Sequence, residues 1–134
     1  LVEGAAGYGM YALQGVGVGL LVWAAFTVDG LAFLGLRQLG QLLRRQLPQE
    51  PDPVRAFRTG GAYGFVRHPM HLGGILILAF QPRMTLNALV FAVFGCLYIV
   101  IGSLLEERRM AATLGELWDD YRRKVPMFLP WPRP

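Results

Sequence analysis

The stretch from residue 84 to residue 105, MTLNALVFAVFGCLYIVIGSLL, decides the fold because its 22 residues include no charged side chain. A helix needs about 20 apolar residues to cross a bilayer, so this stretch predicts one complete transmembrane helix. Before it, residues 69–80 form a shorter apolar run that ends in a turn at residues 81–83. Only 15 uncharged residues separate Arg67 from Arg83. We predict that the two runs form a helical hairpin.

A second long uncharged run lies near the beginning of the chain. Residues 4–28 contain no Asp, Glu, Lys or Arg, and we predict a transmembrane helix over about residues 8–27. Within it, Gly15 and Gly19 form a small-xxx-small pair, which favours close packing against another helix. The sequence therefore predicts about three transmembrane helices, one long span followed by the hairpin.

Amphipathic segments flank these spans. In residues 31–47, leucines recur at helical spacing opposite arginines, which is typical of a basic helix at a membrane interface. Residues 106–121 carry an apolar stripe that predicts a C-terminal cytoplasmic helix. Prolines and a Gly-Gly pair in residues 48–61 predict a connector without regular helix, and the proline-rich residues 125–134 are also expected to be non-helical. The predicted fold class is an all-α integral membrane protein.

The composition agrees with a single membrane domain. The chain has 134 residues, of which 54% are hydrophobic and only 16% charged, whereas ordinary soluble domains are about one-quarter charged. We interpret residues 1–47 as the first span and interfacial helix, 48–61 as the connector, and 62–134 as the hairpin with its C-terminal helix. The one cysteine, Cys96, excludes an intramolecular disulfide.

The distribution of positive charge predicts the orientation. The net charge is +4, and twelve of the 13 cations lie between Arg37 and Arg67 or between Arg108 and Arg133, while Arg83 lies alone in the hairpin turn. Cytoplasmic loops carry the Lys/Arg excess, so we expect both clusters on the cytoplasmic side. The arginines flank apolar spans, which favours membrane lipids as partners and predicts no nucleic-acid binding. The sequence leaves the oligomeric state open.

Two polar clusters flank the hairpin. Residues 67–71, RHPMH, precede its first helix, and residues 106–109, EERR, follow its second. Together they could hold a zwitterion, with Arg67 on a carboxylate and a glutamate on an ammonium group or on ribose hydroxyls. In the alternative interpretation the arginines anchor to headgroups and pair with the glutamates. The spacing leaves both interpretations open, and it does not tell which of Glu106 and Glu107 faces the pocket.

Other polar and aromatic residues give weaker indications. His68 and His71 are three residues apart on one helix face, but no third ligand is evident, and we predict no metal site. Asp29, just after the first span, is a candidate for the same pocket. The tryptophans are expected to be interfacial anchors: Trp23, Trp118 and Trp131.

Two of these segments resemble a known superfamily. Residues 61–73, GAYGFVRHPMHLG, resemble the Arg-His-Pro-x-Tyr-x-Gly motif of the isoprenylcysteine carboxyl methyltransferase and phospholipid methyltransferase superfamily. Residues 106–130, from Glu106-Glu107 through Tyr121, resemble its C-terminal Glu-Glu pattern. Residues 26–38, 82–85 and 121–130 are similar to the NnrU-like branch, to which bacterial methanethiol S-methyltransferases belong.

The resemblance implies a multi-span enzyme of the bacterial inner membrane that binds S-adenosylmethionine from the cytoplasmic side. It further implies methyl transfer to a small, lipid-soluble or volatile thiol. For this transfer the candidate catalytic residues are His68 and Glu107, either of which could remove the thiol proton, and the candidate substrate-binding residues are Asp29 and Arg37. The residues that the resemblance implies in cofactor binding are Arg67, His68, Pro69, Gly73, Glu106, Glu107 and Tyr121, and His71, which stands in the same motif, is a further candidate.

The chain also departs from the superfamily pattern. His71 stands where the motif has tyrosine, and Gly30 stands where the branch has histidine after Asp29. Members of the superfamily carry further N-terminal spans, which we expect this sequence to lack. The alternatives left open are a lipid amine or an isoprenylcysteine-type carboxylate as acceptor, and a non-catalytic membrane subunit that keeps the fold.

Overall fold

The computed structural model describes residues 4–28, 34–44 and 52–129. In these ranges the chain forms helices and no strand, so the all-helical class is confirmed for them. The helices, in chain order, are α1 (Ala5–Thr27), α2 (Leu36–Leu43), α3 (Pro53–Ala56), α4 (Ala62–Phe65), α5 (Pro69–Ala79), α6 (Leu86–Leu114) and α7 (Glu116–Lys124).

Two of these helices, α1 and α6, are long and apolar enough to cross a membrane. Their 23 and 29 residues correspond to about 35 and 44 Å at 1.5 Å per residue. Helix α5 has 11 residues, or about 16 Å, whereas the hydrocarbon core of a bilayer is about 30 Å thick. Among the described residues there are thus two candidate spans, and the predicted count of about three is not confirmed, because α5 is too short.

Helix α5 lies between the two long helices and packs against both. At its contact with α1, a Cβ atom on Gly17 would lie 2.7 Å from the carbonyl oxygen of Gly73, so the absence of side chains lets the two backbones touch. Gln14 Nε2 also donates a hydrogen bond of 3.0 Å to the carbonyl of Ile77. Among the described residues this contact is not made by Gly15 and Gly19, where added Cβ atoms would meet nothing within 4 Å.

The boundary between the last two helices, α6 and α7, differs from the prediction. Helix α6 continues through the charged residues 106–109 and ends only at Leu114. Gly115 follows with φ of 55°, a left-handed conformation that glycine adopts easily, and α7 begins after it. The predicted single helix over residues 106–121 was therefore wrong, because it is broken at Gly115.

The connector contains one helical turn, α3. Pro53 occupies the first turn of α3, where its missing N–H costs nothing, and the Asp52 carboxylate accepts a 2.9 Å hydrogen bond from the backbone N–H of Val54. The expectation of no regular helix was wrong for this one turn. Of the predicted interfacial helix, the structure describes residues 34–44, in which α2 covers Leu36–Leu43. The described part of the C-terminal tail is non-helical, as predicted.

A buried cluster joins α3, α6 and α7. Its buried members are Leu114, Trp118, Tyr121 and Val125, with Phe57 packed against them. The ring of Phe57 lies 5.2 Å from that of Tyr121 in an edge-on contact, an arrangement that aromatic pairs prefer. Trp118 is only 3% exposed, so the prediction that it is an interfacial anchor was wrong. Trp23 is 47% exposed, and Trp131 lies outside the described residues.

Candidate functional site

Arg67, in the link between α4 and α5, holds three parts of the chain together. Its Nε and Nη2 atoms lie 2.8 and 2.7 Å from Oε1 of Glu107 on α6. Its Nη1 donates hydrogen bonds of 3.0 and 2.7 Å to the carbonyl oxygens of Arg122 and Val125 at the end of α7. The side chain is 7% exposed. The Arg67 guanidinium therefore uses most of its hydrogen-bond donors in contacts within the protein.

The backbone continues this connection between the hairpin and the C-terminal segment. The N–H of Arg67 donates to the carbonyl of Pro126 at 2.8 Å, and the N–H of His68 donates to the carbonyl of Met127 at 3.3 Å. These bonds satisfy two N–H groups that precede α5, in a position where the chain is buried. Residues 126–127 thus lie directly beside residues 67–68.

His68 is buried between the two glutamates that the sequence singled out. Its Nε2 lies 3.3 Å from Oε1 of Glu107, and its Nδ1 lies 3.5 Å from Oε2 of Glu106. Only 5% of the His68 side chain is exposed. The sequence left open which glutamate faces the pocket. In the structure Glu106 lines the large cavity, whereas Glu107 borders a separate recess.

His71 completes a compact polar group. Its Nδ1 lies 3.2 Å from Nδ1 of His68 and 3.1 Å from Oγ of Ser103, whose hydroxyl donates to the carbonyl of Ile99 at 2.8 Å. Donor atoms of His68, His71 and Glu106 all lie within 4.8 Å of one another. Glu106 is thus a third potential metal ligand beside the two histidines, which the sequence did not reveal.

A cavity of about 580 Å³ opens beside this group. Its wall combines apolar and aromatic side chains with a few ionisable ones, which is typical of sites for small molecules. The lining residues are Val28, Pro53, Ala56, Phe57, Arg58, Tyr63, Arg67, His68, Pro69, Met70, His71, Ile99, Glu106, Met110, Leu114, Trp118 and Tyr121.

Most of the predicted cofactor-binding residues meet at this cavity, and a few lie elsewhere. Those in its wall are Arg67, His68, Pro69, His71, Glu106 and Tyr121. Glu107 instead borders a separate recess of about 230 Å³ beside Arg122. Gly73 lies against the backbone of Gly17: a Cβ atom added to Gly73 would lie 2.6 Å from the carbonyl oxygen of Gly17. Arg37, on α2, does not line the cavity, and Asp29 falls outside the described residues.

Sequence reasoning missed several residues of the wall. Arg58 lines the cavity, and no hydrogen bond or ion pair joins it to the described part of the chain. The indole N–H of Trp118 is buried without an acceptor in the same part. The signal that could have indicated Phe57-Arg58 is an aromatic–cation pair within a segment otherwise rich in proline and glycine. Ser103, a small hydroxyl residue near the end of the apolar run, was a comparable signal, because polar residues at membrane depth are often functional.

Tyr121 positions one edge of the cavity. Its hydroxyl donates a 2.6 Å hydrogen bond to the carbonyl of Tyr63, which fixes α4 against α7. Burial raises the pKa of Tyr121 from its ordinary value of 10.0 to about 12. The hydroxyl therefore remains a neutral donor across the physiological pH range.

We expect Tyr121→Phe to lower the free energy of unfolding by about 1 kcal/mol, because one net hydrogen bond is lost. The wild-type contribution is fully present below pH 10 and is lost as the pH rises towards 12, since only the folded state holds the tyrosine neutral there. Thermal unfolding in detergent at pH 8 and pH 11 measures this. The difference between wild type and variant should shrink at pH 11, and an unchanged difference would contradict the assignment.

The chain is similar in sequence to several methanethiol S-methyltransferases. It is 33% identical over 121 residues to that of a Pseudomonas species, a match that covers 90% of this chain and 45% of the relative. It is 34% identical over 121 residues to the Crocosphaera subtropica protein, a match that covers 90% of this chain and 46% of the relative. It is 36% identical over 115 residues to the Pseudomonas deceptionensis protein, a match that covers 86% of this chain and 42% of the relative. No family model and no solved structure matches the chain.

The similarity covers most of this chain but only part of each relative. The chain spans about half the length of the curated relatives it matches. A match that covers 121 of the 134 residues includes at least residues 14–121, and this segment carries every residue of the cavity wall. The resemblance to bacterial methanethiol S-methyltransferases is thereby confirmed as a sequence similarity that extends along about nine tenths of this chain.

Proposed function

We propose that this chain forms an S-adenosylmethionine-dependent membrane methyltransferase that converts a small thiol, methanethiol in particular, to a thioether. The observation that carries the proposal is the similarity to methanethiol S-methyltransferases across the segment that builds the cavity. The cavity contributes independent support, because it joins apolar walls to a small number of ionisable groups.

The cavity fits the proposed cofactor. Its volume of about 580 Å³ lies within the usual range for small-molecule sites, about 300–1,000 Å³. Phe57 and Trp118 offer aromatic surface for the adenine ring, and the orphaned Trp118 N–H offers a donor. Arg58 suits the carboxylate of the methionine moiety, and Glu106 suits its ammonium group or the ribose hydroxyls. When bound, S-adenosylmethionine supplies an electrophilic methyl group on a sulfonium.

The other residues predicted to bind the cofactor act on the shape of the site. Arg67 holds α6 and the end of α7 in place through Glu107 and two carbonyls. Tyr121 fixes α4, and Gly73 keeps α5 against α1. In this proposal they form and support the walls, while Arg58 and Glu106 provide the charge complementarity.

The proposed acceptor chemistry requires a thiolate, because the thiolate and not the thiol is the nucleophile. Of the two residues proposed to take the thiol proton, His68 lines the cavity, whereas Glu107 is paired with Arg67 behind it. We therefore assign proton removal to His68, with Glu107 holding the ring in position through Nε2. The cavity wall is mostly apolar, and bound ligands that displace water from such a site strengthen the electrostatic interactions inside it.

The proposed location is the bacterial inner membrane, with the cavity on the cytoplasmic side. Two long apolar helices support a membrane protein. The cavity lies at the end of α5 and α6 that carries Arg67, Arg108 and Arg109, while Arg83 is in the turn at the other end. Cytoplasmic segments carry such an excess of positive charge. Membrane lipids and a volatile or lipid-soluble thiol are the expected partners.

A test of cofactor binding compares Arg58→Gln with Arg55→Gln. We expect the Arg58 variant to bind S-adenosylmethionine about tenfold more weakly or worse, because a charge-assisted hydrogen bond is lost. Arg55 is the matched control, since its side chain is 88% exposed, pairs with Asp52 and lies outside the cavity wall. Calorimetry on detergent-purified protein gives the affinities. Equal affinities for the two variants would contradict the assignment of Arg58.

A test of activity supplies methyl-labelled S-adenosylmethionine and a panel of acceptors. With methanethiol, we expect labelled dimethyl sulfide in the headspace above the reaction. Label in a lipid amine or in an isoprenylcysteine-type carboxylate, without the volatile product, would replace the thiol by one of those acceptors. Cofactor binding without transfer to any member of the panel would overturn the proposed enzyme activity.

A further inference from the structure

The donor atoms of His68, His71 and Glu106 form a nearly regular triangle. Nδ1 of His68 lies 3.2 Å from Nδ1 of His71, and Oε2 of Glu106 lies 3.5 and 3.8 Å from these two atoms. Nitrogen and oxygen ligands held about 2.1 Å from a tetrahedral zinc ion are separated by about 3.4 Å. One ion can therefore bind all three atoms with little movement of the side chains.

The surroundings of His68 leave the lone pair of its Nδ1 available to a metal ion. Its Nε2 faces the Glu107 carboxylate at 3.3 Å, and that carboxylate is fixed by Arg67 at 2.7 Å. A proton on Nε2, donated to Glu107, leaves the lone pair of Nδ1 directed at His71 and Glu106. Histidines that bind metal ions nearly always donate their other N–H to a carboxylate or carbonyl in this manner.

We propose that His68, His71 and Glu106 bind one divalent metal ion, with zinc as the preferred ion. Two imidazoles and one carboxylate form a donor set typical of zinc sites that keep one position open. Magnesium and calcium prefer sites composed of oxygen ligands. His71 is the residue by which the chain departs from the tyrosine of the motif it resembles, so the proposed site belongs to this chain rather than to that motif.

A fourth ligand would reach such an ion from the cavity, because all three ligand residues line it. This further step rests on the proposed function. A small thiol entering the cavity binds the ion as a thiolate, and its proton is released to water. Metal-bound thiols are deprotonated outright, so the ion performs the deprotonation otherwise assigned to His68.

The test of the site measures metal binding directly. Detergent-purified chain is treated with a chelator, freed of it, and titrated with Co²⁺, which reports tetrahedral coordination by its visible absorption, and then with Zn²⁺ in competition. We expect one ion per chain, displacement by Zn²⁺, and no displacement by Mg²⁺. We expect His71→Asn and Glu106→Gln each to weaken binding at least tenfold, and Glu116→Gln, an exposed carboxylate on α7, to leave it unchanged.

Two results would overturn the metal site. One is the absence of binding by wild-type chain whose circular dichroism shows the helical fold. The other is binding that both His71→Asn and Glu106→Gln leave unchanged, which would place the ion elsewhere. Neither result depends on methyl transfer, so the proposed transferase activity would stand.

The thiolate step has its own readout. Adding methanethiol to the Co²⁺-loaded chain should produce a sulfur-to-cobalt charge-transfer band in the near ultraviolet, and this band should be absent for Glu106→Gln. Loss of the band in wild-type chain, or full methyl transfer by chelator-treated chain, would overturn this step alone. Metal binding with the band present but without methyl transfer would instead overturn the proposed function.

Discussion

Replacement of Arg67 by alanine is expected to destabilise the protein by about 3–5 kcal/mol, the range for breaking a buried ion pair by removing one partner. The side chain is 7% exposed and its partner Glu107 is 18% exposed, so the remaining carboxylate stays poorly solvated. The carbonyls of Arg122 and Val125 lose their donor as well. Equilibrium unfolding in mixed detergent micelles, followed by circular dichroism, measures the change.

Two further variants separate the reasons for that loss. Arg67→Ala combined with Glu107→Gln should recover part of the stability, because the uncompensated carboxylate is then neutral. Arg123→Ala is the matched control, since Arg123 is 72% exposed and pairs with Asp120 one turn earlier. We expect a change of about 0–1 kcal/mol for such a surface pair. An Arg67→Ala effect as small as that of Arg123→Ala would contradict the buried ion pair.

Gly17→Ala is the second substitution with a large expected effect, a destabilisation of about 1–3 kcal/mol from overpacking. The new Cβ would lie 2.7 Å from the carbonyl oxygen of Gly73, 3.1 Å from a side-chain atom of Ile77 and 3.1 Å from Cβ of Leu76. The nearest of these atoms belongs to the backbone, so a side-chain rotation cannot relieve the contact. Helix α1 must move away from α5, and the hydrogen bond from Gln14 to Ile77 weakens with it.

Gly19→Ala provides the matched comparison on the same helix. An added Cβ there meets nothing within 4 Å, so only the higher helix propensity of alanine acts, which favours the helix by up to about 1 kcal/mol. The two substitutions therefore have opposite expected signs although they lie two residues apart. Thermal unfolding midpoints in one detergent give the comparison, and equal shifts for both would contradict the close approach of α1 and α5.

The sequence was sufficient for the two long helices and for the grouping of the polar residues. An uncharged run of 22 residues permits few alternatives to a long helix, and the hairpin places its two flanking clusters together. His68 and Glu106 are accordingly neighbours in the structure. The identity of the packing glycine was beyond this reasoning, because the rotation of α1 about its axis depends on Gly73, more than 50 residues away.

The rest of the site depends on interactions that leave no pattern in the sequence. Arg67 is held by the carbonyls of Arg122 and Val125, and every residue has a carbonyl. Arg58 reaches the cavity because α3 packs against α6, a contact between a single helical turn and a long helix. Trp118 was assigned to the membrane interface by its type, whereas Phe57 and Tyr121 bury it.

The sequence separation of the contacts around Arg67 determines the order in which the molecule can be assembled. Its two carbonyl acceptors follow it by 55 and 58 residues, and closing so long a loop costs entropy before any contact is gained. On a chain that emerges from the ribosome amino terminus first, α5 and α6 are complete while Arg67 still lacks these acceptors. We therefore expect α7 to dock late in folding, and the candidate cavity to be completed by that step.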